Sequence, residues 1–106
     1  SEDNKFITFL AHKYANEHKT MSKNGGCSGE FPGGITNGAK WYPLLNSLQD
    51  YTVFSTNSLQ LTLEISCCKY PDEKALLQYF RDNIVALLKF LQRSQLGVKG
   101  IIRDRG

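Results

Sequence analysis

Between Asn4 and His18 the apolar residues recur at three-to-four spacing. Phe6, Ile7, Leu10, Ala11, Tyr14 and Ala15 share one face, which predicts an amphipathic helix. Asp3 and Asn4 are its candidate N-caps, because a short side-chain oxygen reaches the free amides of the first turn. From Lys19 to Gly38 the periodicity gives way to Gly, Ser, Asn and Pro, including Gly25-Gly26, Pro32-Gly33-Gly34 and Asn37-Gly38. This predicts a long irregular loop with several positive-φ turns. Loops of that length inside a compact domain are usually functional or disordered, and the low charge here favours an ordered loop near a site.

A short apolar patch comes next over Lys40–Leu45, with Trp41-Tyr42-Pro43 at its centre. Ser58–Ser66 then alternates strictly: Leu59, Leu61, Leu63 and Ile65 on one side, Ser58, Gln60, Thr62, Glu64 and Ser66 on the other. That period of two is the clearest strand signal in the chain. A second helix is predicted from Pro71-Asp72-Glu73, where proline suits the first turn and acids suit the positive helix end. It runs through Leu76, Phe80, Ile84, Leu87, Leu88 and Leu91 to about Gln95, with Gly97 as the stop. Val98–Ile102 reads as the opening of another strand, and Arg103-Asp104-Arg105-Gly106 as a turn towards a missing hairpin partner. A lone strand leaves its edges unpaired, so these elements are expected to be a fragment cut at both ends.

At 106 residues the chain is the size of one domain, and 41% hydrophobic with 22% charged residues argues against disorder. The net charge of +3 is spread along the chain, with no basic stripe interleaved with aromatics, which speaks against nucleic-acid binding. No apolar run reaches membrane-spanning length. Ser1-Glu2-Asp3-Asn4-Lys5 lacks the order of a signal peptide, so any secretion signal is expected upstream. Of the three cysteines, the adjacent Cys67 and Cys68 make a strained pair with each other. Either one can bridge to Cys27, or all three stay reduced. No Cys-x-x-Cys, His-x-x-Glu or His-x-x-x-His spacing is present, so a self-contained metal site is not expected.

Glu64 is the residue with most chemical interest, because it sits mid-strand in a polar row opposite a row of leucine and isoleucine. A carboxylate there is either solvated, the ordinary case, or held in a cleft suited to general-base work. Trp41 and Tyr42 beside the Gly-rich loop form either a binding lip or part of the core. His12 faces away from the apolar side of the first helix, neither it nor His18 has a partner at ligand spacing, and both are expected at the surface. Nothing in the spacing brings Asp50 and Glu64 together as an acid pair.

Three stretches carry a resemblance: Phe31-Pro32-Gly33-Gly34-Ile35-Thr36-Asn37-Gly38-Ala39-Lys40-Trp41-Tyr42, then Leu48-Gln49-Asp50-Tyr51, then Leu61-Thr62-Leu63-Glu64-Ile65-Ser66-Cys67-Cys68-Lys69-Tyr70-Pro71. In order and spacing they resemble the zinc carboxypeptidases, and more closely the branch of carboxypeptidases M, N, E and D. Phe6–Met21 is similar to that family's helix ending in His-x-x-Met. Leu96–Asp104 is similar to the junction between the catalytic domain and a small transthyretin-like β-domain. The resemblance implies an α/β fold: the C-terminal part of a mixed-sheet catalytic domain over 1–96, with the first strand of the β-domain in 97–106.

The implied activity is removal of a C-terminal residue, Lys or Arg in this branch, from peptides and proteins. Zinc polarises the scissile carbonyl and activates a water, and a glutamate moves the water's proton to the leaving amine. Glu64 matches that glutamate. Tyr42 matches the mobile tyrosine that closes over the terminal residue, Gln49 a residue of the specificity pocket, and Thr62 its wall, on the same strand face as Glu64. No residue here matches the family's zinc ligands or its carboxylate-gripping arginine. The zinc ligands are expected upstream, and the chain alone is expected to be inactive. Two departures stand out. The family's paired glycines after the mobile tyrosine are Asn46-Ser47 here, adding side chains beside the pocket. Its Cys-Phe-Glu before the strand is Ser58-Leu59-Gln60, which removes a cysteine. The rival expectation is a carboxypeptidase-like binding or adhesion module without catalysis. The resemblance also implies the secretory pathway or the extracellular space, with any membrane attachment lying outside this chain.

Overall fold

The computed structural model describes residues 2–24, 27, 29–56, 58–98, 100 and 102–104. Among the described residues, five α-helices and one short 3-10 turn succeed one another: α1 (Glu2–Glu17), α2 (Met21–Asn24), the turn Pro32–Gly34, α3 (Gly38–Trp41), α4 (Leu48–Ser55) and α5 (Glu73–Arg93).

The α1 stripe does what its spacing predicts. Leu10, Tyr14 and Ala15 are buried, and the helix packs against α5. Its start at Glu2 places Asp3 and Asn4 inside the first turn, not at the cap. On α5, Tyr79, Asn83, Ala86 and Phe90 stand on one face at helical spacing. Ala86, fully buried, lets the two helices approach closely. The Tyr14 hydroxyl donates to Asn83 Oδ1, Asn83 Nδ2 donates to the Tyr79 carbonyl at 2.8 Å, and the Tyr14 ring meets Phe90 edge-on. A buried amide with both ends satisfied fixes the helix pair in one register. Two ion pairs flank this contact, Glu17–Lys89 at 2.6 Å and Lys19–Asp82 at 3.3 Å. The hydrogen bond from Lys89 holds the Glu17 carboxyl below its ordinary range. Its contribution to stability is therefore present above the unfolded-state carboxylate pKa and lost as pH falls through the lowered folded one.

Asp72 caps α5, accepting from the Lys74 amide at 2.8 Å, and Ser94 closes its C-terminal end. Gly97, three residues beyond that cap, takes a positive φ of 88°; the helix therefore stops before the glycine expected to end it. The expected strand opening Val98–Ile102 and turn Arg103–Gly106 include Lys99, Ile101, Arg105 and Gly106, which lie outside the described residues; so do Gly25-Gly26.

The α/β expectation is overturned. Among the described residues there is no strand and no sheet, and Ser58–Ser66 has no ladder partner. Alternation assigns side chains to two faces, but a strand exists only when a second extended segment takes its N–H and C=O groups. The elements beside this segment are helical. Its alternation survives in burial only over residues 61–64, where Leu61 and Leu63 are half-buried and Thr62 and Glu64 exposed; Gln60 and Ser66 are half-buried and Ile65 is exposed. Ser66 Oγ donates to the Tyr79 hydroxyl at 3.2 Å, which moors the segment on α5.

The stretch expected to be one irregular loop, Lys19–Gly38, instead holds α2 and the 3-10 turn, which pack on each other and on α1. Gly34 is what lets them meet. It has a φ of +72°, and a Cβ built there would lie 2.4 Å from the Met21 carbonyl oxygen. Gly34→Ala is expected to destabilise the fold by at least the roughly 1–3 kcal/mol of a left-handed non-glycine residue, read as a lower urea midpoint with unchanged slope.

Candidate active site

Two of the four candidate residues, Tyr42 and Gln49, are placed by short local devices. Asn37 caps α3 by accepting from the Lys40 amide at 3.2 Å, and Tyr42 comes directly after the helix, its amide donating to the Gly38 carbonyl at 3.0 Å. Tyr42 is 49% exposed and packs its ring on Trp41, which in turn meets Phe31 edge-on at 5.2 Å. The aromatics are thus a half-exposed trio and not core. Gln49, half-buried, sits in the first turn of α4. That helix has no counterpart in the hydrophobic pattern. Ser47 starts it, accepting from the Asp50 amide at 3.2 Å and donating to the Asp50 carboxylate at 2.8 Å. Ser-x-x-Asp is the capping-box signal that marks it in the sequence.

Asn46, just before the cap, holds a positive φ of 58°. Asparagine tolerates that conformation better than most residues and glycine best of all. The pair Asn46-Ser47 therefore performs a backbone task in this chain, a left-handed turn leading into a helix cap.

Thr62 and Glu64 are exposed on the unpaired segment. Among the described residues, Glu64 makes no hydrogen bond or ion pair, and no hydrogen bond or ring contact joins any two of Tyr42, Gln49, Thr62 and Glu64. The structure does not gather them into one cluster. What it does show is covalent. Cys27 and Cys67 form a disulfide with Cα atoms 5.4 Å apart and a sequence separation of 40. All four candidates lie within the loop it closes. Cys68 is the free, exposed thiol.

Glu64 also lines a hollow of about 110 Å³ at the neck of that loop, together with His18, Thr20, Met21, Cys27, Ile65, Ser66 and Cys67. His18 corrects a second expectation: it is 7% exposed and not a surface residue. Its Nδ1 accepts from the amides of Thr20 at 3.2 Å and Met21 at 3.0 Å. Burial pushes its pKa down, Asp82 opposing and Lys19 reinforcing the shift. A larger apolar groove of about 480 Å³ lies between residues 65–71 and α5, floored by Leu76, Phe80 and Leu87.

Among the described residues, no three His, Cys, Asp or Glu side chains come together where a metal could be held. The described residues do not fit a zinc centre. No helix among the described residues is long and apolar enough to cross a membrane.

The loop closure is worth about 4 kcal/mol in the chain-entropy model for a ring of this size. Cys27→Ser is expected to lower the unfolding free energy by roughly 2–4 kcal/mol, measured by denaturant titration under non-reducing conditions.

Comparison with known proteins gives the sequence a family. The zinc carboxypeptidase family matches residues 1–86. The chain is 41% identical over 102 residues to carboxypeptidase D of Drosophila melanogaster, covering 96% of this chain and 7% of that protein. It is 39% identical over 105 residues to carboxypeptidase M of Mus musculus, covering 97% of this chain and 24% of that protein. Against the carboxypeptidase N catalytic chain of Homo sapiens it is 40% identical over 102 residues, 96% and 22% respectively. The chain belongs to the zinc carboxypeptidase family. It spans between 7% and 24% of the length of these relatives.

Proposed function

We propose that this chain supplies the general base and part of the substrate pocket of a longer metallocarboxypeptidase that removes C-terminal residues, lysine or arginine, from peptides and proteins. The observation that carries the reading is the placement of Tyr42, Gln49, Thr62 and Glu64 inside one disulfide-closed loop, with Glu64 on a hollow at its neck. In this reading the Glu64 carboxylate takes a proton from the attacking water and passes it to the leaving amine. Tyr42, half-exposed at the end of α3, closes over the substrate's terminal residue, and Gln49 and Thr62 contact its side chain. The zinc that the family's name specifies is assigned to residues outside this chain. Residues 1–96 are assigned to the catalytic domain and 97–106 to the start of the next domain.

The exposed surface supports a longer polypeptide. The chain presents 8814 Å², against about 6000 Å² for a compact monomer of its mass. Much of the excess is apolar, including Leu76, Leu77, Phe80, Leu88 and Leu91 along α5. The disulfide supports an oxidising compartment, hence the secretory pathway or the outside of the cell. The test is release of C-terminal lysine or arginine from a short peptide by the longer polypeptide, with and without a chelator. Release that the chelator stops is expected. A folded, zinc-loaded protein that releases nothing overturns the enzyme reading and leaves a non-catalytic binding module.

A further inference from the structure

Tyr42 is fixed in its backbone and lightly held in its side chain. Its amide donates to the Gly38 carbonyl at 3.0 Å, and its φ of −158° and ψ of 150° are extended. Pro43 follows, and the residue before a proline is kept in that extended region by clash with the proline ring. The side chain has no comparable restraint. It is half-exposed, and its hydroxyl makes no hydrogen bond among the described residues. Its ring meets Trp41, with centroids 4.9 Å apart and planes at 68°. Turning Tyr42 about its side-chain bonds therefore breaks one edge-to-face contact and moves no backbone. Trp41, by contrast, is anchored. Its ring meets Phe31 at 5.2 Å and 77°. Phe31 leads into the 3-10 turn, its carbonyl accepting from the Gly34 amide at 2.8 Å, and that turn packs on α1 and α2. Helix α3 packs on no other helix or turn among the described residues, so the Phe31–Trp41 contact is what ties its end to the framework.

We propose that Trp41 is a positioning residue that parks the Tyr42 ring in an open position, from which the terminal residue of a substrate draws it away. The inference rests on the reading of Tyr42 as the tyrosine that closes over that residue. An edge-to-face aromatic pair is weak enough to break on binding and strong enough to bias a side chain between two positions. The bias is about two- to tenfold in their populations. Parking lowers the fraction of molecules ready to close, and apparent affinity for substrate falls with that fraction. The contact thus keeps the pocket mouth open at some loss of affinity.

The sign of the effect separates this role from a structural one. Trp41→Leu keeps an apolar side chain facing Phe31 and removes the aromatic partner of Tyr42. In the longer polypeptide, assayed with a peptide ending in lysine, this change is expected to lower KM about two- to tenfold with kcat within about twofold. Trp41→Phe restores an aromatic partner and is expected to bring KM back towards the parent value. Loss of a merely structural contact moves KM the other way. In a Tyr42→Ala background, Trp41→Leu is expected to leave KM where Tyr42→Ala alone puts it. An unchanged or raised KM in a folded Trp41→Leu protein overturns the proposal while leaving Tyr42 as the closing residue. Parent values of both KM and kcat in Tyr42→Ala overturn the reading beneath it instead. If Trp41→Leu does not fold, a fluorotryptophan placed at position 41 decides by fluorine NMR. A resonance that moves with saturating free lysine in the parent protein and stays still in Tyr42→Ala supports the parking contact. Any other pattern refutes it.

Discussion

Glu64→Gln in the longer polypeptide is expected to lower kcat by about 10²–10⁴-fold, with KM within about twofold of the parent protein. The substitution keeps the size of the side chain and removes its capacity to accept a proton. Substrate binding in the proposed reading falls to Tyr42, Gln49 and Thr62, so the loss concentrates in the chemical step. Folding is expected to be unaffected, since Glu64 is exposed and makes no hydrogen bond or ion pair among the described residues. The unfolding midpoint is therefore the control. An unchanged midpoint with unchanged turnover removes Glu64 from the reaction.

The largest effect on stability is expected in the α1–α5 interface, from Tyr14→Ala. Truncating a buried aromatic side chain costs about 3–5 kcal/mol through lost transfer energy and the cavity left behind. Tyr14 also donates to Asn83 Oδ1, and Asn83 is itself 4% exposed. Removing the hydroxyl strands that oxygen in the α1–α5 interface, a further cost of about 1–3 kcal/mol. Domains hold together by about 5–15 kcal/mol in all, so the alanine variant is expected to be largely unfolded. Tyr14→Phe separates the two parts: it keeps the edge contact with Phe90 and loses only the hydrogen bond. Denaturant midpoints in the order parent, Tyr14→Phe, Tyr14→Ala, with a gap of about 2 kcal/mol or more between the two variants, are the expected result. Equal midpoints for the two variants refute the packing account.

The helices that pack on each other are legible because their information is local. Leu10, Tyr14 and Ala15 on α1 carry the 3.6-residue period in the sequence itself; on α5 the run from Leu76 to Leu91 marks the helix but stands exposed, and Asn83, Ala86 and Phe90 face α1 instead. Ser58–Ser66 misleads for the complementary reason. Its alternation describes two faces, while a strand is made by hydrogen bonds to a distant segment, about which the alternating stretch says nothing. Helix α4 escapes the hydrophobic pattern because Leu48–Ser55 has no clean apolar stripe; the Ser47–Asp50 cap is its only strong mark. His18 stands one turn after Tyr14, in line with Leu10 and Ala11, so its burial follows from position and not from ligand spacing. The cysteine pairing depends on which residue, Cys67 or Cys68, turns towards Cys27, and that orientation is set by the fold around them. The candidate residues themselves come from motif resemblance, and only the neck of the loop, where Glu64 and His18 border one hollow, is added by the structure.

The Cys27–Cys67 bond also changes what a protease can do to this protein. The 40-position span it closes is a covalent ring, not a tether with a free end. A single cut between the two cysteines, for instance beside the exposed Leu45 or Phe54, opens the ring but releases nothing. Nicked and intact molecules keep essentially the same mass until the sulfurs are reduced. Cleavage inside the ring therefore leaves two pieces that stay joined, and travel as one molecule, until the cystine is reduced.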